Sequence, residues 1–187
     1  DLSILNPSSA EDKDTVAVSE ETAQRWNLKT IGDLAEHSDE VKFGASSEFL
    51  NRAEGMPGLK ENYGLDVPAK NYIAISDGGG PATVRALTDG TVTAANIYST
   101  SPAIAEKNLV VLEDPKNNFL AANVVPLVSS QKKSDPLKTV LDAVSAKLTT
   151  EDLIKLNTET TGNSGINPDE AARNWVQDNG FDEPLQP

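Results

Sequence analysis

The chain has 187 residues, enough for one ordinary domain or two small lobes, and no stretch approaches the ~20 consecutive apolar residues that a bilayer span requires. Its formal net charge of −13 argues against a nucleic-acid partner, because a polyanion is repelled and no basic stripe is present to release counterions. The absence of cysteine removes disulfides, thiolate chemistry and cysteine-based zinc sites, which suits an oxidising compartment without fixing it.

TVAV (15–18) reads as a buried strand, after which Ser19 caps a helix over EETAQRWN with acids in its first turn. Thr30 and Asp33 form a capping pair at the start of IGDLAEH. The single histidine, His37, sits among polar neighbours without metal-ligand spacing. It reads as an exposed helix-end or loop residue and leaves a Ser-His-Asp triad unsupported. VKFGA (41–45) is strand-like, and a short helix follows with Pro57 in its first turn and Gly64 as its stop.

NYIAIS (71–76) is the next strand. It runs into Asp77-Gly78-Gly79-Gly80-Pro81 and a helix ending before Gly90. Glycines before a helix leave backbone N–H groups free to face an anion. Yet neither a P-loop nor a dinucleotide-binding spacing is present, and a plain strand-to-helix turn fits equally. Strands over 91–99 and 109–114 flank a helical turn at 102–107, and Asp114 to Asn118 marks a turn. NVVPLVS (123–129) reads as the last strand, with Pro126 placing it at an edge or bulge.

Three helices close the chain. Leu137, Val140, Leu141, Val144 and Leu148 recur at helical spacing after Pro136. Thr149 with Asp152 opens the second helix and Asn167-Pro168 the third, which Gly180 stops; Trp26 and Trp175 read as core or lobe-interface anchors. The final residues, DEPLQP, are expected to fray. Strands alternating with short helices define an α/β protein.

Phe43 to Leu65 carries the most specific signal. Phe43-Gly44, Glu48-Phe49, Arg52, Gly55, Pro57-Gly58-Leu59 and Tyr63-Gly64 form a long gapped pattern. It resembles the substrate-binding proteins of glycine betaine/choline-type (osmoprotectant) ABC importers. That resemblance implies the type II periplasmic-binding-protein fold, with a complete lobe over 14–121. Residues 1–13 and 122–187 would form part of the other lobe, whose N-terminal half this chain does not include. Solute capture in an interlobe cleft, an ABC permease partner, no cofactor, no metal and no catalytic residues follow from it. The chain starts abruptly at Asp1, which is read as the loss of an export signal or as an excised piece. The resemblance implies an exported, lipid-anchored full-length protein.

Within the resemblance, ligand contacts fall on Asp14, Thr15, Arg52, Asp77, Gly78, Tyr98, Ser99, Thr100 and Asn123. Arg52 would clamp a ligand carboxylate or bridge the lobes, with a surface pair to Glu48 or Glu54 as the alternative. Two expected cage tyrosines are replaced by Val16 and Ala122, with Phe119 available to compensate. The apolar faces of the tail helices, at Leu141, Val144, Leu148 and Trp175, would be exposed or covered by a second chain, so self-association is expected. The second reading is a ligand-sensing module of the same fold fused to a permease or signalling protein. Carboxylate pairs aside, nothing supports an enzyme.

Overall fold

Strands form where β-branched and small apolar residues run together, and helices start at side-chain caps. In the computed structural model, which describes residues 1–161 and 165–183, the elements are β1 (Leu2–Ile4), β2 (Asp14–Ser19), α1 (Glu20–Trp26), α2 (Ile31–Ala35), β3 (Phe43–Ala45) and α3 (Met56–Tyr63). Then follow β4 (Tyr72–Ala74), α4 (Pro81–Thr88), β5 (Ala94–Tyr98), α5 (Ala103–Glu106), β6 (Leu109–Val111) and β7 (Leu127–Ser129), and finally α6 (Asp135–Lys147), α7 (Thr150–Thr160) and α8 (Pro168–Asp178). Residues 184–187, within the tail expected to fray, lie outside the described range.

The chain divides into two compact units, Lys13–Leu120 and Asp1–Asp12 with Ala121–Pro187. In the first, five strands order as β4-β3-β5-β2-β6. β3 runs parallel to β4 and β5, whereas β2 runs antiparallel to β5 and β6. Side chains alternate between faces with a period of two. Val16 and Val18 therefore join Phe43, Ile31, Leu34, Leu59 and Phe119 under α1, α2 and α3, while Ala17 and Ile97 pack beneath α4 and α5. Both faces are covered, which is why β2 and β5 read as near-continuous apolar runs.

In the second unit β1 and β7 pair antiparallel, Leu2 opposite Ser129. The strand expected over 123–129 is shorter, because Pro126 has no N–H to give a ladder, and Asn123 makes only an isolated bridge to Glu11. Each tail helix has its cap: Ser134 for α6, the Thr149–Asp152 box for α7 and Asn167 for α8. Trp175 is buried, in line with its reading as an anchor and unlike the exposed tail face expected to include it. It is 8% exposed and its ring stacks on Phe181 at 5.9 Å. Leu141, Val144 and Leu148 are half-buried, whereas Leu2 and Ile4 of β1 are about 70% exposed (68% and 71%).

His37 also departs from expectation. It is half-buried in the turn after α2 and stacks flat on Trp26, with centroids 4.4 Å apart and planes 5° from parallel. An imidazole buries apolar surface against an indole here, which the polar neighbours in sequence conceal.

Candidate functional site

The site of the larger unit grows from three strand ends. Asp14 opens β2 and stands directly opposite Tyr98, the last residue of β5, while Asn96 stands opposite Val16. Alternation along both strands puts Asp14, Asn96 and Tyr98 on one face. The loops after β3 and β4 add Ser46, Ser47, Glu48 and Phe49, then Ser76 and Gly78. Together with Arg52 these residues line a cavity of about 410 Å³. Sheets of this kind bind ligands outside the carboxyl ends of parallel strands, which is where β3, β4 and β5 end.

Asp14 and Arg52 are the centre of the site. Arg52 Nη2 donates to Asp14 Oδ2 at 2.5 Å, and Asn96 Nδ2 donates to Asp14 Oδ1 at 3.0 Å and to the Thr15 carbonyl at 3.1 Å. The guanidinium lies 5.4 Å over the Phe49 ring, with Glu54 Oε2 4.0 Å from Nε. The expected surface partners of Arg52 were Glu48 and Glu54. Its main partner is instead Asp14, a residue 38 positions earlier, so two groups expected to meet ligand separately form one ion pair.

The loop carrying Arg52 is anchored from below. Phe49 is 2% exposed and packs on Phe43 and Phe119 at 5.7 and 6.2 Å. Tyr72 of β4 donates its hydroxyl to the Ser46 carbonyl at 2.5 Å, and burial pushes its pKa up to about 12, so it remains a donor. Phe119, expected as a compensating cage wall, is 5% exposed and belongs to this core. Val16 is wholly buried and does not line the cavity. Tyr98, at 36% exposure, is the lining residue that offers an open aromatic face among the described residues.

The remaining expected contacts do not line this cavity. Thr15 is buried and donates to the Ile97 carbonyl at 2.6 Å. Ser99 Oγ accepts from the Lys13 amide at 3.1 Å, and Thr100 is 3% exposed. Asn123 lies in the other unit, where its amide donates to the Ser8 carbonyl at 3.1 Å.

The glycine run after β4 is not an open anion cradle. Asp77 Oδ2 accepts from the amides of Ala82 and Thr83 at 2.6 and 3.1 Å, and Oδ1 accepts from the Thr83 hydroxyl at 2.5 Å. The helix start is satisfied by the chain's own carboxylate. Burial opposes the charge, but the donations from Thr83, Ala82 and Gly80 prevail and hold the carboxyl below its usual range. Its contribution to stability is therefore present above the unfolded carboxylate pKa and lost as pH falls through the lowered folded value. Asp77→Ala is expected to cost about 1–2 kcal/mol at neutral pH in urea denaturation, with the difference from the parent chain vanishing in that acid window. A pH-independent difference would contradict the capping role. Gly78 keeps φ at +61° and lines the cavity.

Glu48, Phe49 and Asn96 were not expected as site residues. The first two lie inside the gapped pattern, and Asn96 is the polar exception in the apolar run of β5, which was the available signal. A smaller concavity of about 290 Å³ lies between α7 and α8 of the other unit, lined by Lys155, Glu159, Trp175 and Asp178 among others. Among the described residues no helix is long and apolar enough to cross a membrane.

An α/β unit with a polar cavity at its strand ends, entered and left by the chain at 12–13 and 120–121, defines a class, and the chain has the type II periplasmic-binding-protein fold. It belongs to the OpuAC family, described as the substrate-binding domain of the ABC-type glycine betaine transport system, which matches residues 1–178. It is similar to the glycine betaine-binding protein YehZ of Escherichia coli, at 26% identity over 184 residues, covering 95% of this chain and 60% of that protein. A solved structure titled as a glycine betaine/carnitine/choline ABC transporter superposes with a TM-score of 0.76 at 27% identity, covering 98% of this chain and 66% of the other. The ergothioneine transport permease/ergothioneine binding protein EgtU of Helicobacter pylori is 27% identical over 146 residues, covering 76% of this chain and 25% of that protein. The chain thus spans 60% of the length of YehZ and 25% of that of EgtU.

Proposed function

We propose that this chain is part of the solute-binding protein of an ABC importer and that the larger unit contributes the Asp14–Arg52–Asn96 site to solute capture. The observation that carries this reading is the fixed ion pair lining a cavity of about 410 Å³ at the strand ends of an OpuAC-family chain. The solute is a small polar molecule with a cationic amine head, in the glycine betaine/choline class or chemically near it. A cation is served here by the Asp14 and Glu48 carboxylates and by the Tyr98 ring. Capture needs no covalent chemistry, and the protein acts outside the cytoplasmic membrane, anchored by lipid in its full-length form and delivering solute to a permease. The exposed apolar residues of β1 favour self-association of the chain by itself.

Binding to the folded form raises the melting temperature. A thermal-shift panel of betaines, choline, carnitine, amino acids and polyols is expected to give at least one upward shift. Arg52→Ala is expected to weaken that response about ten-fold or more, because it removes the donor that holds the Asp14 carboxylate in place and the side chain that walls the cavity over Phe49. No shift with any solute, for this chain or for a polypeptide extended to the relatives' length, would end the proposal. The relationship to EgtU favours one further reading, the same capture module fused to its permease. Determining the full-length polypeptide decides between them, since membrane-spanning segments in the same chain mean fusion.

A further inference from the structure

Arg52 reaches Asp14 from a loop, and a loop places a guanidinium only as well as its two ends are held. Within the loop the chain closes on itself. The Gly55 amide donates to the Arg52 carbonyl and the Met56 amide to the Phe49 carbonyl, both at 2.9 Å. These bonds shape the turn without fixing it to the rest of the unit. On the entry side the Tyr72 hydroxyl holds the Ser46 carbonyl. On the exit side the side-chain amide of Asn118, 64 positions along the chain, donates to the Glu54 carbonyl at 2.7 Å. Glu54 is also the residue whose carboxylate stands 4.0 Å from Arg52 Nε, so its backbone and the guanidinium are placed together.

Asn118 is itself held. It is 7% exposed, its Oδ1 accepts from Asn62 Nδ2 at 2.8 Å, and its backbone amide donates to Asp114 Oδ1 at 3.0 Å. Tyr63 donates its hydroxyl to the same Asp114 oxygen and accepts from the Lys116 amide at 2.7 Å, which ties the 114–119 turn to α3. Turning the Asn118 amide over would set its NH2 group against the Asn62 donor and its oxygen against the Glu54 carbonyl, so one orientation is fixed. Asn118 does not line the cavity, and it reaches the site only through the loop.

We infer that Asn118 is a positioning residue for the Asp14–Arg52 pair: it holds the Glu54 carbonyl and thereby sets where the guanidinium stands. An Asn118 that only supported the 114–119 turn would leave Arg52 where it is. The bearing on solute capture rests on the capture reading above. The test does not, because it is made on the chain without solute.

The test is 1H–15N NMR of the full chain at its arginine Nε–H signals. Four arginines contribute, Arg25, Arg52, Arg85 and Arg173, and the Arg52 signal is the one that Arg52→Lys removes. Asp14→Asn supplies the reference position for a guanidinium that has lost its carboxylate partner. Asn118→Asp keeps the shape of the side chain and the oxygen that Asn62 needs, but sets an oxygen against the Glu54 carbonyl. The Arg52 signal is expected to shift most of the way toward the Asp14→Asn position, while those of Arg25, Arg85 and Arg173 stay. Asn118→Ala removes the donor without adding a charge, and the same shift is expected. Asn62→Ala loosens the turn from the α3 side without touching the Glu54 carbonyl. It is expected to lower the urea midpoint and leave the Arg52 signal in place. An Arg52 signal unmoved in both Asn118 variants overturns the inference, even where their stability falls. An equal movement in Asn62→Ala overturns it too, because the turn as a whole then holds the loop. Loss of folding in both Asn118 variants also overturns it, since Asn118 then serves the fold rather than the placement of Arg52.

Discussion

Phe49→Ala is expected to destabilise the larger unit by about 3–5 kcal/mol, the usual cost of deleting a buried ring together with the cavity it leaves. The ring is 2% exposed, stacks on Phe43 and packs at a tilt against Phe119, both in the same core cluster. None of these neighbours can collapse into the void freely. Phe43 is pinned in β3 between β4 and β5, and Phe119 follows a turn fixed by Asp114, whose carboxylate accepts from the Asn118 and Phe119 amides at 3.0 and 2.8 Å. The same substitution removes the platform under the Arg52 guanidinium, so solute affinity falls even where the fold survives. Equilibrium urea denaturation followed at Trp26, which packs against this core, is the measurement. A lower midpoint at unchanged slope is the expected result, and a loss below about 1 kcal/mol would show that the aromatic cluster does not carry the loop. Phe49→Leu keeps most of the volume and is expected to cost less than about 1.5 kcal/mol.

Much of the fold is legible because its causes are local. Ser19, Thr30 with Asp33, Thr149 with Asp152, and Asn167 announce helix starts through side chains that reach only two or three residues onward. Strand positions follow from apolar runs, but their lengths do not. Pairing partners decide where a ladder stops, so the run at 91–99 yields only Ala94–Tyr98 and the run at 123–129 only Leu127–Ser129. The site shows the same division. Arg52 stands out within a gapped pattern and Asp14 at a strand start, yet their union depends on β2 lying beside β5 and on a loop folding back across 38 residues. Asn96 becomes a site residue only once the β2–β5 register puts it across from Val16. The glycine run at 78–80 misleads for the opposite reason. Its meaning is set locally, by Asp77 folding onto the helix it precedes, where its side chain occupies the Ala82 and Thr83 amides of the first turn.

Gly55→Ala is expected to be at least as damaging as a typical core overpacking change, about 3 kcal/mol or more. Gly55 has φ of −79°, so handedness is not what excludes a side chain. Space is what excludes it: a Cβ would lie 1.9 Å from the Phe49 carbonyl oxygen and 3.1 Å from that of Arg52. The Phe49 carbonyl accepts from the Met56 amide and the Arg52 carbonyl from Gly55 itself, both at 2.9 Å, so the methyl group cannot be admitted without breaking the turn that carries Arg52. Gly58 is tight for a related reason, with a Cβ 2.5 Å from both the Ala53 carbonyl and the Asn118 side-chain oxygen. Gly64 is the contrast. Its surroundings are open and its φ of +76° at the end of α3 is the constraint, so Gly64→Ala is expected to cost only about 1 kcal/mol. Chemical denaturation of the two variants separates steric from conformational glycine. If Gly55→Ala were no worse than Gly64→Ala, the turn would be able to open, and the position of Arg52 over Phe49 would not be set by close packing at Gly55. If it is far worse, and solute affinity falls with it, the spacing from Arg52 to Gly55 in the gapped pattern is a steric requirement of the ion pair that the cavity is built around.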